Sequence, residues 1–110
     1  MSNAGWIGVD LDGTLAEYGG WKGAGSIGRP VPLMLDRVRE WLARGRDVRI
    51  FTARAGDPEC LPAIEAWCIE HLGRALPITA TKDYRMVELW DDRAIQVVPN
   101  TGRRADGQEG

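Results

Sequence analysis

Short apolar runs alternate with helical patterns along this chain, and this alternation restricts the possible folds more than any other feature. The runs Trp6–Val9 and Arg46–Phe51 favour strands, and apolar residues recur at helical spacing from Val31 to Leu42 between them. The alternation continues with a helical pattern from Asp57 to Gly73 and with short apolar runs over 77–80, 86–90 and 95–98. Strands and helices that alternate through short connections form parallel sheets with right-handed crossovers. The pattern therefore predicts an α/β fold with a mostly parallel central sheet.

The length of the chain allows one domain and not two, since there are 110 residues. We assign residues 1–98 to that domain. Five glycines fall within residues 18–28, which are therefore expected to form a mobile loop rather than a helix or a strand. Residues 99–110 are polar and are expected to form a flexible C-terminal tail.

The overall charge excludes one class of binding protein. The formal net charge is −2, so the chain has no overall cationic field of the kind that attracts nucleic acids or anionic membranes. No apolar run approaches the roughly 20 residues of a membrane span, and the N-terminal residues lack the pattern of a secretory signal. We therefore expect a cytoplasmic protein without a membrane partner.

Two cysteines, Cys60 and Cys68, fall within the second helical pattern. Their separation along a helix corresponds to roughly 12 Å, whereas a disulfide requires Cα atoms within about 7 Å. We expect both cysteines to be reduced core residues, which is typical of a cytoplasmic protein.

The first predicted strand runs directly into Asp10-Leu11-Asp12-Gly13-Thr14. Asp10 and Asp12 are two residues apart and project to the same side of an extended chain, and Gly13 permits a turn. Two carboxylates that are held close together repel each other unless a cation lies between them. A polar junction between a strand and a turn contains the same residue types, so this motif by itself fits either a cation site or a turn.

Polar residues also accompany the other predicted strands. Thr52 directly follows the second strand, Asp91 and Asp92 follow the run 86–90, and Lys82 precedes that run. Backbone N–H groups after Thr52 could hold an anion, although each of these residues also has an ordinary structural explanation. Ligands of open α/β sheets bind at the carboxyl ends of the strands. The sequence therefore predicts that these side chains meet in one site.

Taken in chain order, these residues resemble the haloacid dehalogenase superfamily of aspartate-nucleophile phosphohydrolases. Asp10–Thr14 resemble its first motif, Thr52 its second, Lys82 its third and Asp91-Asp92 its fourth. The resemblance covers residues 6–98 and implies a Rossmann-like three-layer sandwich. The intervals between these motifs leave no room for the cap domain that many members insert, so a small capless type is implied.

The resemblance also implies hydrolysis of a phosphomonoester through an aspartyl-phosphate intermediate. Asp10 would be the nucleophile, because a carboxylate is already ionised at neutral pH. Asp12 would protonate the leaving oxygen and then accept a proton from water. Thr52 and Lys82 complete the implied catalytic set, and the phosphate-binding residues implied by the resemblance are Leu11, Asp12, Thr52, Ala53 and Lys82.

A magnesium ion is the cofactor that the resemblance implies. Asp10, Asp91 and the backbone carbonyl of Asp12 would bind it, and such oxygen ligands suit Mg²⁺. Asp92 would either join these ligands or orient Lys82, and the sequence leaves both roles open.

Other functions remain open at this stage. A phosphate-binding or regulatory module without catalysis would use the same residues. A response-regulator receiver is disfavoured, because its phosphoacceptor aspartate lies where this chain has Thr52. The run Asp91-Asp92-Arg93 resembles the 3′-phosphatase domains of polynucleotide kinases, which act on nucleic-acid ends, but the acidic balance gives no support to a nucleic-acid partner.

A capless site would be open, which suits a phosphorylated small molecule or the phosphorylated end of a macromolecule. Trp21 in the glycine-rich loop is a candidate substrate contact. A second copy of the chain could also cover the site, and Trp67 beside Ile69 is expected to give the second helix an apolar surface for such a homo-oligomer.

Overall fold

A computed structural model describes residues 5–108 of the protein. Its strands and α-helices are β1 (Trp6–Asp10), α1 (Pro32–Ala43), β2 (Asp47–Phe51), α2 (Leu61–Leu72), β3 (Ile78–Thr79) and β4 (Met86–Trp90). Two short 3-10 turns, Ala53–Gly56 and Pro58–Cys60, connect β2 to α2. No helix among the described residues is long and apolar enough to cross a membrane.

The four strands form one sheet in the order β3-β2-β1-β4, and every pairing between them is parallel. β1 lies inside the sheet, where Asp10 is level with Phe51 of β2. Because all strands run in the same direction, their carboxyl ends share one edge. The predicted α/β fold with a parallel, Rossmann-like sheet is confirmed, and the described residues between its strands contain no cap domain.

The core lies on one face of the sheet, beneath both helices. Ile7 and Val9 of β1 point to this face, and they are level with Val48 and Ile50 of β2. Residues from α1 and α2 cover these side chains: Met34, Leu35, Val38, Ile64, Trp67 and Cys68. Alternate residues of a strand face opposite sides of a sheet, which explains why a five-residue strand contributes two residues to this core.

The opposite face carries no helix in the part of the chain that the structure describes. Trp6 is nevertheless fully buried there, since it stacks on Phe51 at 6.4 Å between ring centroids and the Arg49 guanidinium lies 4.8 Å from its ring. The Trp6 indole donates a hydrogen bond of 2.9 Å to Asp83, in the connection between β3 and β4. The third layer therefore consists of side chains and one connection.

The boundaries of α2 follow local rules that the sequence already carries. The Asp57 side chain accepts a hydrogen bond of 3.0 Å from the Glu59 N–H and begins the turn that leads into the helix. The helix ends at Leu72 because Gly73 adopts a left-handed conformation, with φ +81°.

The prediction of a sheet strand over 95–98 is wrong. Val97 pairs instead with Arg104 in an isolated antiparallel bridge, and the Val98 N–H donates to the Arg103 carbonyl at 2.8 Å. Pro99-Asn100-Thr101-Gly102 supplies the turn of this hairpin, since Asn100 and Gly102 both adopt positive φ. Residues 99–108 of the expected flexible tail thus fold back on the preceding segment, and residues 109–110 lie outside the described residues.

The predicted apolar surface at Trp67 and Ile69 is also corrected. Trp67 is buried and donates a hydrogen bond to the Gly28 carbonyl at 2.9 Å, whereas Ile69 is 56% exposed. The indole therefore anchors the glycine-rich loop and is not available to a second copy. Cys60 and Cys68 are both free and buried, as expected.

Ile64→Ala is expected to lower the free energy of unfolding by about 2–5 kcal/mol, because it leaves a cavity beneath the sheet. Ile69→Ala on the same helix is the matched control and should change it by less than about 0.5 kcal/mol, since that side chain is largely exposed. Urea denaturation of both variants measures the difference. Equal effects would contradict the position of the core.

Candidate functional site

The turn after β1 places Asp10 at the carboxyl edge of the sheet. The Leu15 and Ala16 N–H groups donate to the Leu11 carbonyl and close this turn. Gly13 has φ +91°, and a Cβ at this position would lie 2.6 Å from an oxygen of Asp92. Glycine is therefore favoured here, because the backbone is left-handed and the Asp92 side chain approaches it closely.

Asp10, Asp91 and Asp92 form an acidic cluster at this edge. Each offers one carboxylate oxygen, and these oxygens lie within 4.8 Å of one another. The Thr14 hydroxyl lies 3.3 Å from an Asp92 oxygen and 3.5 Å from an Asp10 oxygen. The structure thus brings together the ends of β1 and β4, as the sequence predicts.

The acidic cluster changes the proton affinity of Asp10. Partial burial, a hydrogen bond with Asp92 and the charges of the neighbouring carboxylates together raise the pKa of Asp10 from 3.8 to about 7. Burial is the largest of these causes, and the neighbouring carboxylates add to it. A cation among these oxygens would oppose the shift.

Asp12 has a different partner, although it is only two residues from Asp10. Its carboxylate accepts hydrogen bonds from Arg54 Nε at 2.8 Å and from Arg54 Nη2 at 2.9 Å. The Arg54 side chain is only 6% exposed in this ion pair, and that of Asp12 is 20% exposed. The Asp12 side chain is therefore held apart from the acidic cluster.

Thr52 and Ala53 lie between this ion pair and the end of β2. Thr52 is buried, and its hydroxyl oxygen accepts a hydrogen bond of 3.1 Å from the Arg54 N–H. The hydroxyl hydrogen can therefore be donated to another group. Ala53 is the first residue of a 3-10 turn, so its N–H has no partner within that turn.

A cavity of about 520 Å³ joins these groups. Among the predicted site residues, those that line it are Asp10, Asp12, Thr52, Ala53, Asp91 and Asp92. The side chain of Leu11 is instead fully buried in the core, so only its backbone could face a ligand. The cavity is open to solvent and large enough for a small phosphorylated molecule.

Lys82 is not brought to this cavity. It lies exposed in the connection between β3 and β4, outside the residues that line the cavity. The cationic side chains along the cavity are those of Arg54 and Arg93. The predicted position of a lysine beside the acidic cluster is therefore not observed.

Sequence reasoning missed Arg54, Arg93 and Tyr18, which all line the cavity, while Trp21 lines it as expected for a substrate contact. The Trp21 ring lies over the Arg54 guanidinium, with 4.9 Å between the guanidinium carbon and the ring centroid. One signal in the sequence pointed to Arg54, since it follows the end of β2 by three residues.

The oxygens of the acidic cluster fit a small divalent cation. Opposite ligands of an octahedral Mg²⁺ are about 4 Å apart, and the three oxygens lie within 4.8 Å of one another. Small side-chain adjustments would bring them to coordination distance. Asp91 and Asp92 are both close enough to take part, and Asp12 could do so only through its backbone, because Arg54 holds its carboxylate.

Comparison with known proteins supports the fold and goes no further. No family model matches the chain, and no curated protein matches it. A solved structure of a conserved protein from Bacteroides thetaiotaomicron is similar, with a TM-score of 0.60 and 21% identity over 89% of this chain and 84% of that one.

Asp10→Asn is expected to raise the unfolding temperature of the metal-free protein at pH 8. A carboxyl whose pKa is raised to about 7 stabilises the fold below pH 4, and this contribution is lost as the pH rises through 7. Asparagine does not ionise, so the variant should gain about 1 kcal/mol, or about 5 °C, at pH 8. Thermal unfolding in EDTA measures this gain.

The gain should be much smaller at pH 4, where Asp10 of the wild-type protein is largely protonated. Asp36→Asn is the control, since this exposed carboxylate on α1 lies far along the chain from the cluster. An equal gain in this control, or an Asp10→Asn variant that is less stable at pH 8, would contradict repulsion within the acidic cluster.

Proposed function

We propose that the protein is a Mg²⁺-dependent phosphatase of the haloacid dehalogenase type, which hydrolyses a phosphomonoester through an aspartyl-phosphate. The observation that carries this proposal is the convergence of Asp10, Asp91 and Asp92 beside Thr52 in one open cavity. Acidic oxygens for a cation and donors for an anion then lie side by side. Phosphoryl transfer requires this combination.

In the first step, an oxygen of Asp10 attacks the phosphorus atom. A P–O bond to Asp10 forms, and the P–O bond to the leaving group breaks. The leaving oxygen takes a proton from Asp12, which must bind that proton and release one Arg54 N–H before this step, because both of its oxygens accept from Arg54 in the structure. The position of Asp10 at the rigid end of β1 supports its role, because a nucleophile must be held in line with the bond that breaks.

In the second step, water attacks the phosphorus atom of the aspartyl-phosphate. Asp12 accepts a proton from this water, the bond between phosphorus and Asp10 breaks, and inorganic phosphate leaves. Both enzyme carboxyl groups thereby return to their starting states. The position of Asp12 two residues from the nucleophile supports this role as acid and then base.

The transferring phosphoryl oxygens would be held by the Thr52 hydroxyl and by the backbone N–H groups of Leu11, Asp12 and Ala53. The Thr52 hydroxyl retains a hydrogen to donate, because its oxygen accepts from Arg54. A bound Mg²⁺, held by Asp10, Asp91 or Asp92 and the Asp12 carbonyl, would offset the repulsion between the nucleophile and the dianionic substrate.

The open cavity favours a substrate that needs no cap for recognition. Tyr18 and Trp21 of the glycine-rich loop border the cavity and could contact the leaving group. A small phosphorylated molecule and the phosphorylated end of a macromolecule both fit this description. Free cysteines at positions 60 and 68 fit a reducing compartment such as the cytoplasm.

Asp10→Asn is expected to reduce Mg²⁺-dependent phosphate release from p-nitrophenyl phosphate by a factor of about 10³ or more, since the amide is a poor nucleophile. The fold should persist, because the substitution removes charge and keeps the shape. Asp36→Asn should retain wild-type turnover. Steady-state phosphate release with and without Mg²⁺ measures these rates.

Retained turnover in Asp10→Asn would contradict the nucleophile assignment. A wild-type protein that binds phosphate with Mg²⁺ but hydrolyses no ester across sugar phosphates, nucleotides and oligonucleotide ends would instead be a binding module. Trapping of a phosphoryl group on Asp10, detected by mass spectrometry after rapid acid quench, would distinguish the covalent route from direct attack by water.

A further inference from the structure

Arg54 has more hydrogen-bond donors than it has partners. Its Nε donates to Asp12, and its Nη2 donates to Asp12 and, at 3.0 Å, to the Ser26 carbonyl. Its Nη1 is buried and has no hydrogen-bond partner in the described part of the chain. A buried N–H of a charged group without an acceptor is costly, so this atom should favour an oxygen ligand.

The position of this unpaired group indicates which ligand it would take. Arg54 lines the cavity beside Thr52 and Ala53, whose hydroxyl and N–H are also donors. These groups line the same cavity as the acidic cluster. Several neighbouring hydrogen-bond donors suit the oxygens of a tetrahedral oxyanion such as phosphate, and a guanidinium binds such oxygens well.

We propose that Arg54, and not Lys82, supplies the positive charge that binds the phosphoryl group, and that the same guanidinium holds the Asp12 carboxylate in position. The identity of the anion rests on the proposed function. The Nε and Nη2 side of the guanidinium binds Asp12, and the Nη1 side binds phosphoryl oxygen. Lys82 is exposed and outside the cavity lining, so it does neither.

Trp21 connects the Arg54 guanidinium to the glycine-rich loop. Its ring covers one face of the guanidinium, and the Ser26 carbonyl of the same loop accepts from Nη2. Arg54 is thereby fixed at two points of the loop as well as at Asp12. A guanidinium that is fixed in this way loses little conformational freedom when a ligand binds.

Inorganic phosphate binding in the presence of Mg²⁺, measured by calorimetry, tests the proposal without turnover. Arg54→Gln is expected to weaken phosphate binding by about 10-fold or more, because a charged hydrogen bond is lost. Lys82→Gln should bind within about twofold of wild type. Arg103→Gln is the control for the loss of one positive charge, since Arg103 is exposed in the C-terminal hairpin.

Arg54→Lys tests the positioning of Asp12, since lysine keeps the charge but lacks the planar pair of nitrogens that donates to both Asp12 oxygens. It should bind phosphate better than Arg54→Gln. Where turnover is measurable, Arg54→Lys should lower kcat more than it raises KM and should shift the pH–rate limb that belongs to the acid. Unchanged kcat and an unchanged pH profile would overturn this part of the proposal.

Several outcomes would overturn the binding part. One is loss of phosphate binding in Lys82→Gln, and this result counts even if Arg54→Gln does not fold. The others are wild-type affinity in a folded Arg54→Gln protein and the absence of phosphate binding by the wild-type protein. Arg54-dependent phosphate binding in a protein that hydrolyses no ester would refute the proposed function and support this inference. Turnover with phosphate binding independent of Arg54 would do the reverse.

Discussion

Repulsion between carboxylates is the constraint on which the site depends. The parallel sheet brings Asp10 from β1 and Asp91 and Asp92 from β4 to one edge, where their oxygens lie within 4.8 Å of one another. The pKa of Asp10 is raised to about 7, first by burial and then by the hydrogen bond with Asp92 and the neighbouring carboxylate charges. Sheet packing and the close fit of Gly13 against Asp92 maintain this arrangement. A cation among these oxygens would reduce the repulsion.

The ion pair between Asp12 and Arg54 gives different surroundings to two aspartates that are almost adjacent in the chain. Asp10 belongs to the acidic cluster, while Asp12 is bound by two N–H groups of Arg54. The same guanidinium contacts the loop through Ser26 and Trp21. Arg54 thus connects three of the segments that line the cavity: the turn after β1, the glycine-rich loop and its own segment after β2. Its neighbour Thr52 lies at the end of β2, which fixes the arrangement relative to the sheet.

The strands and helices were predictable where burial dictates the residue pattern. β1, β2 and both helices have apolar residues at the spacing that the core requires, and Gly73 ends α2. The run 95–98 is also rich in apolar residues, like the strands of the sheet. It pairs instead with 103–105 through a four-residue turn, and Val97 remains 48% exposed. Apolar composition alone does not reveal whether a neighbouring strand is present. The local sequence pattern therefore could not show that 95–98 lies outside the sheet.

The sequence by itself determined the order of the strands' polar ends, because Asp10 ends one strand, Thr52 and Asp91 directly follow two others, and parallel strands must end at the same edge. Only the tertiary structure decided which positively charged side chain lies at that edge. Lys82 and Arg54 both lie in connections, where the direction of a side chain depends on packing and not on a repeating backbone geometry. Arg54 is buried beneath the loop and lines the cavity, whereas Lys82 is exposed and lies outside the cavity lining.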